Sequence, residues 1–180
     1  MDTGTTEPQS FRVREAMPDD VADLMRLKLL LAEEENSLHA IRANADDWRR
    51  DGFGAGAGFS AFVAEDLRNV IGMATFNRRI LTGWNGPVIF LQDLIVETAH
   101  RHRGVARALM AKVASLARDI GSPIVELTVH ADNPAQNFYA RAGFQPLPQC
   151  LTYVLAGPAL EALATDDPED APGAELKRAG

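Results

Sequence analysis

A strand, a basic turn and a long helix follow one another between residues 88 and 120, and they limit what this chain can fold into. Residues 88–96 are apolar at all but two positions, and the turn at 101–107 contains three arginines and a glycine. Residues 106–120 repeat apolar side chains every three or four positions, and Gly121 and Pro123 end that helix. This order predicts a helix packed on a sheet, as in α/β folds.

The turn at 101–107 is the strongest candidate binding site in the sequence. It lies where a helix begins, and a helix start presents unpaired backbone N–H groups and the positive end of a dipole. Gly104 and Ala106 are small enough to let phosphate oxygens approach, and Arg101, Arg103 and Arg107 add positive charge. The turn therefore predicts a diphosphate ligand such as coenzyme A or a nucleotide. The alternative is a surface turn that carries arginines without binding a ligand.

The other periodicities predict a mixed sheet with helices against it. Alternation predicts strands at 11–13 and 124–129, β-rich runs predict others at 61–65 and 70–78, and a last strand is expected at 151–155. Helical spacing predicts helices at 19–35 and 45–50, and Asn133 with Pro134 begins another. Three consecutive antiparallel strands are expected, with a parallel crossover around the helix at 106–120. The region 36–58, with its glycine run, is predicted to be a flexible loop beside the substrate.

Length and composition indicate one domain and argue against several partners. The chain has 180 residues, 46% of them hydrophobic, which suits one domain at 11–164 between a flexible segment at 1–10 and a disordered acidic tail at 165–180. A net charge of −7 argues against nucleic acid as a partner. Cys150 is the single cysteine, and no metal-ligand spacing occurs. With no signal-like or membrane-length apolar run, we expect a cytoplasmic protein.

Two stretches resemble the GNAT family of N-acetyltransferases. Arg101-x-x-Gly104-x-Ala106 is similar to the family's Q/R-x-x-G-x-G/A signature, and residues 133–144, from Asn133 through Tyr139 to Phe144, resemble its closing helix. Together they make the chain similar to the family from about residue 11 to 155. The resemblance implies the acyl-CoA N-acyltransferase fold, an α/β architecture whose central, mostly antiparallel, twisted sheet has helices on both faces.

Within that family the sequence looks most like the diamine and thialysine acetyltransferases. Residues 51–54, 62–65, 83–84 and 91–96 are similar to strings of that branch, which implies a small free amine as acceptor. Two positions differ from the polyamine enzymes, because Thr82 stands where they have an acidic residue and Gln92 where a glutamate is expected. Each change removes a charge that a second ammonium would pair with, which argues against polyamine specificity.

The resemblance implies acetyl-coenzyme A as cosubstrate, lying between the strands at 88–96 and 124–129, with its pantetheine paired to the backbone. No metal is expected. The coenzyme-binding residues predicted in this way are Leu94, Ile95, Val96, Arg101, His102, Arg103, Gly104, Val105, Ala106, Arg107 and Asn133.

Catalysis would need an oxyanion donor, an acid and a route for the proton of the amine. A backbone N–H near Ile95 could stabilise the carbonyl oxygen of the thioester. Tyr139 matches the family's usual acid for the departing thiolate, and the alternative is an aromatic ring that only packs. Candidate bases are Asp93, Glu65 and the acidic cluster at 33–35, each of which could equally be a solvated charge. The predicted acceptor-binding residues are Glu34, Glu65, Trp84 and Gln92.

The sequence thus predicts an enzyme that moves an acetyl group to the primary amine of a small molecule. A protein N-terminal or lysine acetyltransferase and a non-catalytic acetyl-coenzyme A sensor are the alternatives. Family resemblance also implies a homodimer, formed through the sheets or by exchange of C-terminal strands near 151–155. His130 and Cys150 are not assigned to the site, because no triad pattern accompanies them.

Overall fold

A five-stranded mixed sheet is the centre of the computed structural model, which describes residues 11–83 and 86–165. The strands lie in chain order across the sheet. β1 to β4 pair antiparallel and β5 pairs parallel with β4. Their bounds are β1 Arg12–Glu15, β2 Ser60–Asp66, β3 Asn69–Ile80, β4 Pro87–Val96 and β5 Val125–Leu127. The three antiparallel strands and the parallel crossover predicted from the sequence are therefore confirmed.

Five α-helices accompany the sheet in the described residues. They are α1 Val21–Glu34, α2 Ala45–Phe53, α3 Val105–Asp119, α4 Gln136–Ala142 and α5 Pro158–Ala164. Short 3-10 turns occupy Pro18–Asp20, Leu38–Ala40 and Thr98–His100. None of these helices is long and apolar enough to cross a membrane. The chain forms two compact units, the first ending at Phe138 and the second beginning at Tyr139.

Helices pack on both faces of the sheet in the first unit. The buried side chains of α1 and α2 form one core with the sheet, which consists of Val21, Leu24, Leu27, Trp48, Ala61, Val63, Val70, Met73 and Ile95. Adjacent residues in a strand point to opposite faces, so Phe62 lies on the face opposite Val63. There Phe62 packs against Phe76 and lies beneath the ammonium of Lys112 on α3. This arrangement confirms the predicted α/β fold class.

Within the region 36–58, predicted to be a flexible loop, the helix predicted at 45–50 is confirmed and extends as α2 to Phe53. Asn44 caps α2, accepting hydrogen bonds from the N–H groups of Asp46 and Asp47. The helix continues through Gly52, where an added Cβ would lie 2.7 Å from the Phe59 ring. The prediction failed here because we took the glycine run for flexibility, whereas Gly52 lets an aromatic ring approach the helix closely.

The strand predicted at 151–155 is wrong. Within the second unit this segment forms no strand, and its apolar side chains are exposed. A strand exists only where a neighbouring strand satisfies its backbone, and an apolar sequence alone cannot supply that partner. α5, which the sequence did not indicate, follows it. The predicted flexible segment at 1–10 and nearly all of the predicted tail lie outside the described residues.

Candidate functional site

The turn between β4 and α3 leaves several backbone donors without helical partners. His102 and Gly104 both have left-handed backbone conformations, with φ of 60° and 82°. Gly104 is the N-cap of α3, no side chain caps the helix, and the first helical hydrogen bond runs from Ala108 N–H to Gly104 O at 2.9 Å. The N–H groups that precede Ala108 therefore have no acceptor within the helix. Such a turn forms a cradle for an anion.

The space in front of this turn is open. A Cβ added at Gly104 would meet no heavy atom of the described residues within 4 Å, so a ligand oxygen can approach the backbone there. His102, Arg103 and Arg107 are exposed around it. Space and positive charge therefore occur together at this turn.

Arg101 makes bonds that tie the turn to other elements of the fold. Its Nε donates a 2.8 Å hydrogen bond to the carbonyl of Val96, at the end of β4. Its guanidinium also pairs with Glu34 near the end of α1, at 2.5 Å. Arg101 therefore joins the turn to the strand and the first helix, and Glu34, predicted to bind the acceptor, is its partner.

A β-bulge interrupts β4 just before the predicted catalytic aspartate. Thr75 on β3 lies opposite Asp93, whereas the next residue, Phe76, lies opposite Leu91. Gln92 is therefore an extra residue in β4, and it is exposed. A bulge of this kind changes which side of the strand the following backbone groups face.

The bulge turns the backbone of Leu94 and Val96 away from β3. Before the bulge, the N–H of Ile89 donates a hydrogen bond to the carbonyl of Ile124, on the β5 side of the strand. Beyond it, the N–H of Glu97 bonds to β3. Alternate residues of a strand direct their backbone groups to opposite edges, so those of Leu94 and Val96 face the β5 side. The pairing with β5 ends one residue before the bulge, so β5 does not pair with them.

Asp93 is held by two side chains on the α1 face of the sheet. Its Oδ1 accepts from the Lys28 ammonium at 2.5 Å, and its Oδ2 accepts from the Thr75 hydroxyl at 2.7 Å. The exposed fractions of the side chains are 11% for Asp93 and 27% for Lys28. One carboxylate oxygen is thus in a partly buried ion pair, and the other accepts a hydrogen bond from a neutral hydroxyl.

Glu65 lies away from this cluster. Hydrogen bonds from Arg14 and Arg12 hold its carboxylate at the β1–β2 pair, and they lower the pKa of Glu65 below its usual value. Because β3 separates β2 from β4, a distance of about 10 Å lies between those strands. The structure therefore does not bring Glu65 to Asp93. Trp84 lies outside the described residues.

Asn133 and Tyr139 belong to the segment around α4. The Oδ1 of Asn133 accepts from the N–H of Ala135 at 2.8 Å within a turn, and the helix begins only at Gln136, so the prediction that Asn133 caps a helix with Pro134 at its first position is wrong. In the second unit the ring of Tyr139 packs edge-on against Phe144, with 5.6 Å between the centroids.

Sequence reasoning missed Lys28 and Thr75. A signal for Lys28 existed, since it lies one helical turn beyond the buried Leu24 and so falls beside the apolar stripe of α1. A cation at such a position needs a partner on the sheet. No comparable pattern marks Thr75, which is recognisable only from its position opposite Asp93.

Comparisons with known proteins agree with this geometry. The model of the Acetyltransferase (GNAT) family matches residues 22–144. The thialysine N-epsilon-acetyltransferase of Mus musculus is 31% identical over 167 residues, covering 86% of this chain and 98% of that protein. The Homo sapiens spermidine/spermine N(1)-acetyltransferase-like protein 1 is 30% identical over 145 residues, covering 77% of this chain and 21% of that protein.

Solved structures show the same fold. An integron cassette protein from the mobile metagenome of V. cholerae superposes with a TM-score of 0.72 at 21% identity, covering 86% of this chain and 98% of that one. An aminoglycoside acetyltransferase from a soil metagenomic sample gives 0.68 at 23% identity, with 82% and 99% covered.

Proposed function

Because this chain belongs to the GNAT family of N-acetyltransferases, in its diamine and thialysine branch, we propose that it transfers the acetyl group of acetyl-coenzyme A to the primary amine of a small molecule. The observation that carries the proposal is the continuity between β4 and the turn before α3. The backbone of Leu94 and Val96 is left unpaired by β5, and a few residues later the uncapped start of α3 presents its N–H groups.

The coenzyme would be held mainly by the main chain. We assign its diphosphate to the N–H groups at the start of α3, with Arg103 and Arg107 supplying charge. The pantetheine would pair with Leu94 and Val96, and Asn133 would contact the coenzyme from the segment before α4. Arg101 would act indirectly, because its hydrogen bonds fix the turn against β4 and α1.

The chemistry would be a direct attack of the amine on the thioester. A bond forms between the amine nitrogen and the carbonyl carbon, and negative charge develops on the carbonyl oxygen. The register of β4 supports the N–H of Leu94 as its donor, since that of Ile95 faces β3. The carbon–sulfur bond then breaks, Tyr139 gives its phenolic proton to the thiolate, and the amine loses a proton to water.

Among the candidate carboxylates, Asp93 has the position that fits contact with the acceptor. It lies on β4 directly after the bulge, whereas Glu65 is paired at another strand and Glu34 is paired with Arg101. We assign Asp93 the hydrogen bond that orients the attacking nitrogen. Because Lys28 and Thr75 occupy only part of its acceptor capacity, a lone pair remains for that bond.

The experiment is a screen of monoamines, diamines, amino acids and peptides with acetyl-coenzyme A, with release of free thiol as the readout. Thiol release with small amines supports the proposal, while turnover of peptides alone would indicate a protein acetyltransferase. Binding of acetyl-coenzyme A without turnover of any amine would indicate a sensor.

Tyr139→Phe tests the proposed acid. We expect kcat to fall by about 100-fold or more with unchanged affinity for acetyl-coenzyme A, since only the proton donor is lost. The chain offers a matched control in Tyr153→Phe, because Tyr153 is 88% exposed. Full turnover in Tyr139→Phe would contradict the acid assignment.

We further propose that two copies of the chain associate, as the resemblance implies. The second unit exposes Leu151, Tyr153 and Val154, and α5 exposes Leu160 and Leu163. A concentration of exposed apolar side chains is typical of a surface covered by a partner. Light scattering should give twice the 19.5 kDa mass of one chain, and a monomeric mass at all concentrations would contradict the proposal.

A further inference from the structure

The ion pair between Lys28 and Asp93 bears on which amines the proposed enzyme can accept. Lys28 reaches from α1 to the sheet, and its ammonium lies 2.5 Å from the carboxylate of Asp93. Thr75 fixes the other oxygen from β3. The aspartate that we assign to the acceptor nitrogen is therefore already neutralised by a cation of the same chain.

The neighbouring carboxylates on this side of the sheet are paired in the same way. Glu97, just after β4, pairs with Arg26 on α1. Glu34, at the end of α1, pairs with Arg101 of the turn. Three carboxylates near the second half of β4, those of Asp93, Glu97 and Glu34, thus have internal counter-ions.

A neutral hydrogen-bond acceptor lies next to the ion pair. Asn77 follows Thr75 by two positions on β3, so both side chains point to the same face, roughly 7 Å apart along the strand. The Oδ1 of Asn77 is buried and accepts no hydrogen bond within the described parts of the chain. An amide oxygen of this kind can accept a hydrogen bond without contributing charge.

Because a diamine brings two ammonium groups at neutral pH, its second group needs an uncompensated carboxylate. Here it would instead approach the Lys28 ammonium, and the two like charges would repel each other in a partly buried site. An acceptor with one amine and a neutral or anionic remainder meets no such repulsion. The geometry points to Lys28 as a specificity-determining residue that selects singly cationic amines and rejects diamines, an inference that rests on the function proposed above.

The test compares pentylamine with pentane-1,5-diamine, which match in chain length and differ in one ammonium group. For the unmodified protein we expect kcat/KM to be at least about tenfold higher for the monoamine. Lys28→Met keeps the length of the side chain and removes its charge, so Asp93 becomes free to pair with an ammonium. The ratio of the two kcat/KM values should then shift toward the diamine by about tenfold, and the shift should shrink in high salt.

Two further variants serve as controls. Lys28→Arg keeps the charge and should keep the preference for the monoamine. Lys112→Met removes a lysine from the opposite face of the sheet, where its ammonium lies over Phe62, and should leave the ratio unchanged.

The outcomes separate this inference from the proposed function. Turnover with the same ratio in Lys28→Met as in the unmodified protein would overturn the role of Lys28 and leave the acetyl transfer intact. A preference of the unmodified protein for the diamine would overturn it even if the variant did not fold. Absence of thiol release with every amine would instead contradict the proposed function itself.

Discussion

The turn before α3 and the α1 side of β4 are close in sequence but differ in their charged groups. The turn exposes arginines, whereas the α1 side of β4 contains an ion pair. At the turn, the helix begins at Gly104 without a side-chain cap, and Arg103 and Arg107 are exposed. On the α1 side, Asp93 is paired with Lys28. The first region presents donors to a ligand, and the second satisfies its charges internally.

Because of this difference, we expect the turn to determine the affinity for the coenzyme and the α1 side of β4 to determine which acceptor is preferred. Unpaired donors contribute binding free energy to any ligand of matching charge, so the turn suits a diphosphate shared by many coenzymes. An internal ion pair contributes little attraction, but it makes an additional cation unfavourable. In a two-substrate transferase, the first arrangement suits the common cosubstrate and the second suits a restricted acceptor.

The largest effect should follow from removing the two exposed arginine charges of the turn before α3. In the double variant Arg103→Gln and Arg107→Gln, each change removes a charge-assisted contact, and the Kd for acetyl-coenzyme A should rise by about 100-fold, or about 2.7 kcal/mol. Titration calorimetry measures this. Arg118→Gln, at the far exposed end of α3, is the matched control and should bind normally. An unchanged Kd in the double variant would mean that the turn does not hold the diphosphate.

A smaller effect is expected where charges are paired within the chain. Arg14 makes hydrogen bonds of 2.6 and 2.8 Å to Asp20, at the start of α1, and it also bonds to Glu65. The Arg14 guanidinium is the main cause that lowers the pKa of Asp20 and of Glu65. Arg14→Met should lower the free energy of unfolding at pH 7 by about 2 kcal/mol through the Asp20 pair.

The pH dependence of that loss checks its cause. Because the carboxylates have lower pKa values in the folded state than in the unfolded state, the pairs stabilise the protein fully above about pH 4 to 5. The stabilisation is lost as pH falls through the folded pKa values. Urea unfolding should therefore show a difference between the unmodified protein and Arg14→Met that is largest at pH 7 and shrinks toward pH 3. A difference that stays constant with pH would contradict an ionic origin.

The smallest effect is expected at Arg101. It lies in the turn, but its guanidinium forms an ion pair within the chain, as Asp93 does on the α1 side of β4. Arg101→Gln should lower the free energy of unfolding by about 1 kcal/mol through loss of its bonds to Val96 and Glu34. The Kd for acetyl-coenzyme A should rise by less than about tenfold. A loss of affinity as large as that of the double variant would mean that Arg101 contacts the diphosphate directly. The contrast between the turn and the α1 side of β4 would then be wrong.

Much of the fold could be predicted because its signals are local. The apolar stripe of α3 with Gly121 at its end, and the β-rich runs of β2 to β4, indicate those elements from neighbouring residues alone. The failures have non-local causes. At Gly52 the Phe59 ring leaves no room for a side chain, and residues 151–155 form no strand because pairing requires a partner that a sequence pattern does not reveal.

The candidate site likewise has a part that local sequence predicts and a part that depends on contacts between distant residues. The sequence by itself determined the chemistry of the turn before α3, because a glycine, small residues and arginines at a helix start act through their own backbone and charge. Only the tertiary structure decided which charged side chains, distant in sequence, form ion pairs with each other. Lys28 and Asp93 are 65 positions apart, and Glu34 and Arg101 are 67 apart, so no local pattern records these pairs. They form because the packing of α1 on the sheet brings the side chains together where little water can screen them.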